Sequence, residues 1–162
     1  MKKVYILLGM ILIIPNILNA YNPLDGVKAQ KQEAQKYVKN YIDVKTLKQW
    51  ISKEKDFEIV DVREQDEINA GAIDFIETIN IPRGKLYAGV KSGKLKPNKI
   101  YVMVCRTGHR ALLATAVLNK FYNFKNVYVL SGGIKSWVLN NGTLNNSLHL
   151  GNVKITLNPK DN

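Results

Sequence analysis

Short apolar runs alternate with segments of helical spacing through the middle of this chain. The apolar runs are rich in β-branched and aromatic side chains, which is typical of buried strands. They lie at 41–43, 57–62, 78–82, 100–104 and 127–130. Between them, apolar positions recur every three or four residues, which predicts helices at 44–52, 64–70, 111–122 and 134–139.

This alternation predicts an α/β fold with a small, mostly parallel five-stranded sheet flanked by helices on both faces. The segment 71–73 is predicted to open a loop, and the three glycines of 83–95 leave that segment only partly helical. We take 41–141 as the domain. The flanking segments are an N-terminal extension at 21–40, which ends in a short helix, and a C-terminal extension at 142–162, which holds a candidate late strand at 153–157.

The first twenty residues have the layout of a secretion signal, so we assign a signal peptide at 1–20. Lys2 and Lys3 precede an apolar stretch at 4–14, and a cleavage site follows at Ala20. Because the apolar stretch is short for a membrane span of about 20 residues, we expect cleavage and no stable membrane insertion afterwards. The predicted location of the mature protein is outside the cytoplasm, in a periplasm.

Cys105 is the only cysteine in the chain. Exported domains use cysteines mainly in pairs, as disulfides, so a single one is a candidate reactive thiol. It begins the stretch Cys105–Arg110, with the letters CRTGHR, between a predicted strand and a predicted helix. In open α/β sheets, ligands bind at this carboxyl edge of the strands. A buried, inert cysteine is the alternative, and the neighbouring arginines and glycine argue against it.

The residues that follow Cys105 suit an anionic substrate. Their amides can form a cradle for negative charge, and Gly108 permits the tight curl that such a cradle needs. Arg106 and Arg110 add donors for oxyanions, and positive surroundings at a helix start favour a thiolate over a thiol. The sequence therefore predicts a nucleophilic thiolate that attacks an anionic sulfur or phosphorus compound.

The charge of the chain is strongly positive, at a formal +11, and it is unevenly distributed. Between Thr78 and Lys160 there are thirteen Lys or Arg and no Asp or Glu, whereas twelve of the thirteen acids lie between Asp25 and Glu77. The half of the chain that holds Cys105 would therefore attract anionic substrates. A basic surface also suits nucleic acid, but the sequence carries no nucleic-acid-binding motif, so we expect no such partner.

Five motifs, in their order along the chain, resemble those of single-domain rhodaneses, which are thiosulfate sulfurtransferase-like proteins. The motifs are Asp61-Val62-Arg63-Glu64, Gly71-Ala72-Ile73, Asn80-Ile81-Pro82, the stretch Cys105–Arg110, and Leu130-Ser131-Gly132-Gly133 followed by Trp137. The resemblance implies a rhodanese-like fold and a double-displacement reaction. In that reaction Cys105 takes sulfane sulfur from thiosulfate or a similar anionic donor as a persulfide. A thiol, a cyanide-like acceptor or an acceptor protein then removes the sulfur.

The same resemblance implies roles for the loop. The loop amides and Arg110 would hold the persulfide, and Arg106 would help to recruit the anionic donor. His109 would be a specificity contact or a solvated side chain, not a general base. The predicted substrate-binding residues are therefore Arg106, Thr107, Gly108, His109 and Arg110. The resemblance implies neither a metal nor a cofactor.

Asp61 and Arg63 follow a neighbouring strand, and we expect them to support the loop geometry, as a buried ion pair or helix cap, rather than to do chemistry. Three positions depart from the usual family pattern. Ala72 replaces a usual His, Ala111 a usual Ser and Ser136 a frequent Ala. These departures concern local packing and fine specificity, and they leave the nucleophile in place.

Other functions remain open at this point. Phosphatases and arsenate reductases of the related cysteine-loop type carry Arg six positions after Cys, whereas Arg110 comes five after Cys105. The shorter loop favours a sulfur atom over a tetrahedral phosphate, and the chain has no second thiol to resolve an arsenate adduct. A non-catalytic rhodanese-fold module that binds a partner is a further alternative, against which the presence of Cys105 argues. A persulfide carrier would share the sulfur chemistry.

Overall fold

The computed structural model describes residues 22–145, which contain all the motifs above. Its helices are α1 (Pro23–Gln35), α2 (Val44–Ser52), α3 (Gln65–Asn69), α4 (Leu86–Lys91), α5 (His109–Phe121) and α6 (Gly133–Leu139), with a short 3₁₀ helix at Arg83–Lys85. Its strands are β1 (Tyr41–Ile42), β2 (Glu58–Asp61), β3 (Ala72–Ile73), β4 (Thr78–Asn80), β5 (Tyr101–Val104), β6 (Val127–Leu130) and β7 (Leu144–Asn145).

Five of these strands form one sheet in the order β1-β6-β5-β2-β4, and every neighbouring pair is parallel. Because each strand returns through a helical crossover, the helices cover both faces. The prediction of an α/β fold with a five-stranded parallel sheet is confirmed. The arrangement brings the carboxyl ends of β2 and β5 to one edge, since Asp61 lies opposite Val104.

The central strand β5 shows how the two faces are built. Tyr101 and Met103 belong to a core that includes side chains of α1, α4 and α5, whereas Val102 and Val104 belong to a core with α2 and α6. Successive side chains of a strand point to opposite faces, so a continuous apolar run is required when both faces are covered. This is why β5 carries an apolar run instead of alternating apolar and polar residues.

The N-terminal extension packs on the domain as helix α1, which is longer than the short helix predicted for it. The side chain of Asn22 accepts a hydrogen bond from the Leu24 amide and caps the first turn. Ala34 and Val38 are buried in the same core as α5, against which α1 lies. The extension therefore contributes to the core as well as preceding it.

The segment 71–73, predicted to open a loop, instead contains β3. Ala72 and Ile73 pair antiparallel with Asn145 and Leu144 of β7. The loop prediction is wrong here because a two-residue strand has no periodicity, and its partner lies far along the chain. The signal peptide at 1–20 and the candidate strand at 153–157 lie outside the described residues. Within residues 22–145, no helix is long and apolar enough to cross a membrane.

Candidate active site

Cys105 directly follows β5, and the stretch Cys105–Arg110, hereafter the cysteine loop, leads into α5. The thiol is buried, with 1% of the residue exposed. Gly108 precedes α5 with φ +95°, a left-handed conformation that glycine adopts readily. This curl directs the Gly108 amide at the cysteine, where it donates a hydrogen bond to Sγ at 3.2 Å. The amide that directly precedes α5 thus points at the sulfur.

Helix α6 holds the other side of the loop backbone. The amides of Ile134 and Lys135 donate to the carbonyls of Cys105 and Arg106, at 2.9 and 3.0 Å. This contact is so close that a Cβ on Gly133 would lie 2.2 Å from the Cys105 carbonyl oxygen, and Gly133 also has φ +58°. A side chain at this position would therefore collide with the loop backbone.

Arg110 forms an ion pair that the sequence did not indicate. Its Nη1 and Nη2 each donate to one carboxylate oxygen of Glu67 on α3, both at 2.6 Å. The hydrogen bond from Arg110 lowers the pKa of Glu67, and the same bond raises the pKa of Arg110, with a smaller contribution from Cys105. The guanidinium is therefore charged, held by Glu67 and close to the sulfur.

Asp61 and Arg63 form a buried ion pair at the end of β2. Arg63 Nη2 donates to Asp61 Oδ2 at 2.8 Å, and its Nε lies 3.0 Å from both carboxylate oxygens. Arg63 also donates to the carbonyls of Glu67 and Gly71, at 3.2 and 2.7 Å. These bonds tie the backbone of α3 to the sheet. Arg63 thus acts on the helix that presents Glu67, and through Glu67 on Arg110.

The remaining loop residues lie nearer to solvent. Arg106 and Thr107 are exposed, and His109 is half-buried at the start of α5. Burial lowers the pKa of the His109 imidazole, and the charges of Lys31 and Arg83 lower it further. Both effects favour the uncharged form of the His109 imidazole, and the two cations come from other elements of the fold.

A cavity of about 390 Å³ lies beside the loop, between α1, the start of α5 and the end of β6. Thr107, Gly108 and His109 line it on the loop side, and Lys31 and Gln35 line it on the α1 side. A larger cavity of about 630 Å³ lies by β3 and β4, and no residue of the cysteine loop lines it. Because chemistry and not size identifies the site, we take the smaller cavity as the one that matters for Cys105.

Of the predicted loop residues, Gly108 contacts Cys105 Sγ and Arg110 interacts with it, whereas Arg106 and Thr107 are exposed and His109 lines the cavity. Asp61 and Arg63 pair at the end of β2 and contact the backbone of α3. Glu67 is not among the residues predicted from the sequence, although it lies three residues after Glu64, which is the spacing of a capping box, and its carboxylate accepts from the Glu64 amide at 3.2 Å. Lys31 is not among them either, and the sequence offers no signal for it. Within residues 22–145, no group of three or more His, Cys, Asp or Glu could hold a metal ion.

Comparison with protein families gives one match that covers more than half of the chain. The model of the family described as "Rhodanese-like domain" matches residues 43–140. The match begins after α1, so that helix lies outside the matched region, and it includes Glu67, the cysteine loop and α6.

Two relatives carry names that refer to sulfur transfer. A protein of Schizosaccharomyces pombe, provisionally named a mitochondrial thiosulfate sulfurtransferase, is 31% identical over 49% of this chain. The chain spans only 61% of that protein's length. The solved structure of a homodimeric polysulfide-sulfur transferase from Wolinella succinogenes is similar with a TM-score of 0.64 and 28% identity. That similarity covers 80% of this chain and 94% of the other.

A third similar structure carries a different description. It is a protein of unknown function from Rhodopseudomonas palustris, described as a possible tyrosine phosphatase. The TM-score is 0.63 and the identity 26%, over 74% of this chain and 94% of that one. The two similar structures therefore share the fold, and their descriptions name different reactions.

Proposed function

We propose a sulfur-transfer function from one premise, that the chain belongs to the rhodanese-like domain family. In this proposal the protein moves sulfane sulfur from an anionic donor to a thiophilic acceptor, and Cys105 carries the sulfur between the two. The observation that carries the proposal is the hydrogen bond of 3.2 Å from the Gly108 amide to Cys105 Sγ. A donor aimed at sulfur stabilises an anionic sulfur, as a thiolate and as a persulfide.

In the first half-reaction, the Cys105 thiolate attacks the outer sulfur of thiosulfate. A sulfur–sulfur bond forms to Cys105 while the bond to the sulfonate sulfur breaks, and its electron pair leaves with sulfite. The product on the protein is a persulfide anion. The Gly108 amide faces this charge, and Arg110, which Glu67 holds in place, adds a cation near it.

In the second half-reaction, a nucleophilic acceptor attacks the outer persulfide sulfur. A thiolate acceptor gives a new persulfide, and cyanide gives thiocyanate; in both cases the Cys105 thiolate is the leaving group. The acceptor has to reach a residue that is only 1% exposed. We therefore propose that the sulfur transferred projects outward from the buried cysteine, so that the acceptor meets the outer sulfur atom alone.

The similarity to a polysulfide-sulfur transferase widens the class of donors that we propose. A polysulfide dianion would react in the same way, since attack by Cys105 on its terminal sulfur gives the persulfide and a dianion shorter by one sulfur. Both donors are anions that leave as anions. The basic half of the chain favours either of them.

The test is to treat the reduced protein with thiosulfate and to measure both thiocyanate production and intact mass. We expect a gain of one sulfur atom on the wild type, reversed by cyanide, and neither signal with Cys105→Ser. Because Cys105 is buried and small, the serine variant should fold, which circular dichroism would check. A wild-type protein with a confirmed free thiol that shows neither signal would contradict the proposal.

Phosphate-ester hydrolysis is the second candidate, because one similar structure is described as a possible tyrosine phosphatase. The loop argues against it, since Arg110 comes five positions after Cys105 and is engaged by Glu67. We expect no hydrolysis of an aryl phosphate above the rate of Cys105→Ser. Hydrolysis that depends on Cys105 would replace sulfur transfer as the proposal.

We also propose that the protein works outside the cytoplasm after removal of residues 1–20. The layout of Lys2, Lys3 and the apolar stretch at 4–14 supports this location. The measurement is the N-terminal sequence of the protein recovered from the fractions of an expressing bacterial cell. A mature N-terminus near Tyr21 in the periplasmic fraction is expected, and an intact Met1 in the cytoplasmic fraction would contradict it.

A further inference from the structure

Helix α1 lies outside the region that matches the family, yet it lines the cavity beside the cysteine loop. It packs along α5 and brings Lys31 and Gln35 to the side of the cavity opposite Thr107 and Gly108. Gly108, whose amide donates to Cys105 Sγ, is one of the residues that line this cavity. A helix in this position can contact a substrate that extends beyond the loop.

The charges of α1 distinguish Lys31 from its neighbours. Lys28 pairs with Asp25 at 3.5 Å, and Lys36 pairs with Glu33 at 2.6 Å. In the part of the chain that the structure describes, Lys31 makes no salt bridge. It lies close enough to His109 to act on that imidazole electrostatically. The cavity thus has on its α1 side one cation that no carboxylate of residues 22–145 neutralises.

The rest of the cavity wall is partly apolar. Leu112 of α5 and Val129 and Leu130 of β6 also line the cavity. A linear polysulfide fits a cavity with an apolar wall and a cation at one side. Its inner sulfur atoms are apolar and polarisable, and its charge is concentrated at the two ends. Thiosulfate is compact, so its charge stays at the loop.

We propose that Lys31 binds the trailing negative charge of an elongated, dianionic sulfur donor whose leading sulfur reaches Cys105. This inference rests on the proposed sulfur transfer and deepens it, since it assigns linear polysulfides as the preferred donor class and α1 as part of the donor site. Lys31 is then a specificity residue that lies outside the region matched by the family. Thiosulfate is the shorter donor, and in this proposal it does not use Lys31.

The kinetic test compares Lys31→Gln with Lys28→Gln, which removes a paired lysine from the same helix. We expect Lys31→Gln to raise KM for tetrasulfide about fivefold with kcat unchanged, and to change KM for thiosulfate less than twofold. Lys28→Gln should alter neither, and Lys31→Arg should restore the wild-type KM. An equal effect of Lys31→Gln on both donors, or equal effects of both glutamine variants, would overturn the proposal.

A binding test separates this inference from the proposed reaction. The probe is tetrathionate, a dianionic sulfur chain, titrated into Cys105→Ser protein by calorimetry, with and without each lysine substitution. We expect Lys31→Gln to weaken binding several-fold and Lys28→Gln to leave it unchanged. If sulfur transfer fails in the wild type while this difference holds, the site at Lys31 stands and the proposed reaction falls. If the two glutamine variants bind equally, Lys31 is not a donor contact.

Discussion

The two flanks of the cysteine loop are held in place by different kinds of contact. On the α6 flank, backbone amides bond to the Cys105 and Arg106 carbonyls, and the helix approaches so closely that only glycine fits at position 133. On the α3 flank, the carboxylate of Glu67 holds the Arg110 guanidinium. The first flank depends on the absence of a side chain, and the second depends on two side chains.

This difference determines how each flank responds to change. A backbone contact cannot adjust to an added Cβ, so a substitution on the α6 flank displaces the loop or the helix. An ion pair that is about 30% exposed can lose one partner and be replaced by water. We therefore expect substitutions on the α6 flank to cause a large loss of stability and of the rate of persulfide formation. Substitutions on the α3 flank should lower that rate by graded amounts.

Gly133→Ala should have the largest effect among substitutions that leave the nucleophile in place. The added Cβ would lie 2.2 Å from the Cys105 carbonyl oxygen at φ +58°, so we expect a loss of about 3 kcal/mol or more in the free energy of unfolding. Denaturant unfolding measures it, together with the rate of persulfide formation. The matched control is Gly84→Ala, where no atom lies within 4 Å of the new Cβ and φ is not positive.

The outcome of this pair of substitutions decides whether the α6 flank is rigid. Equal unfolding midpoints and equal rates for the two alanine variants would show that the loop tolerates displacement. In that case the contrast between the two flanks would be lost, and the close approach of Gly133 would have no functional consequence.

Arg110→Ala should lower the rate of persulfide formation about 100-fold, because it removes the cation next to the developing sulfur anion. Arg106→Ala should have a smaller effect, less than about tenfold, because this exposed side chain is expected to recruit the donor. Single-turnover kinetics with thiosulfate measure both rates. Equal effects of the two substitutions would contradict the roles assigned to the two arginines.

Glu67→Gln should lower the same rate about tenfold, since Arg110 stays present but loses its charged anchor. Asp66→Asn is the control, because it removes a charge from an exposed neighbour on the same helix. The loss should appear in kcat more than in KM. A loss as large as that of Arg110→Ala would mean that the two residues act as one unit.

The ion pair of Glu67 and Arg110 predicts that stability depends on pH. Arg110 lowers the pKa of Glu67 below its ordinary value of 4.5, so the folded state binds fewer protons than the unfolded state. The ion pair therefore contributes its full stability above pH 4.5 and loses it as the pH falls through the lowered pKa. Urea unfolding of wild type and Glu67→Gln should give a constant difference near neutral pH and a shrinking one in acid. A difference that grows in acid would contradict the assignment.

The expectations from sequence were met where the pattern was local. The run at 127–130 is the strand β6, and the helical spacing at 44–52 is the helix α2, both within the predicted bounds. The cysteine loop is also local, because one strand end and one helix start determine where its amides point. Expectations failed for β3, whose partner β7 lies about seventy residues away. The roles predicted for the individual loop residues stay predictions.

By itself, the sequence determined the alternating elements, the parallel sheet and a lone thiol at a strand end, because apolar periodicity and the order of the motifs are written along the chain. Only the tertiary structure decided which residues contact the loop around that thiol. Glu67 contacts Arg110, Gly133 lies against the Cys105 carbonyl, and Lys31 lines the same cavity as the loop. Each of these arrangements joins residues that are distant in sequence. Long-range contacts depend on how helices pack on the sheet, and no local pattern encodes that packing.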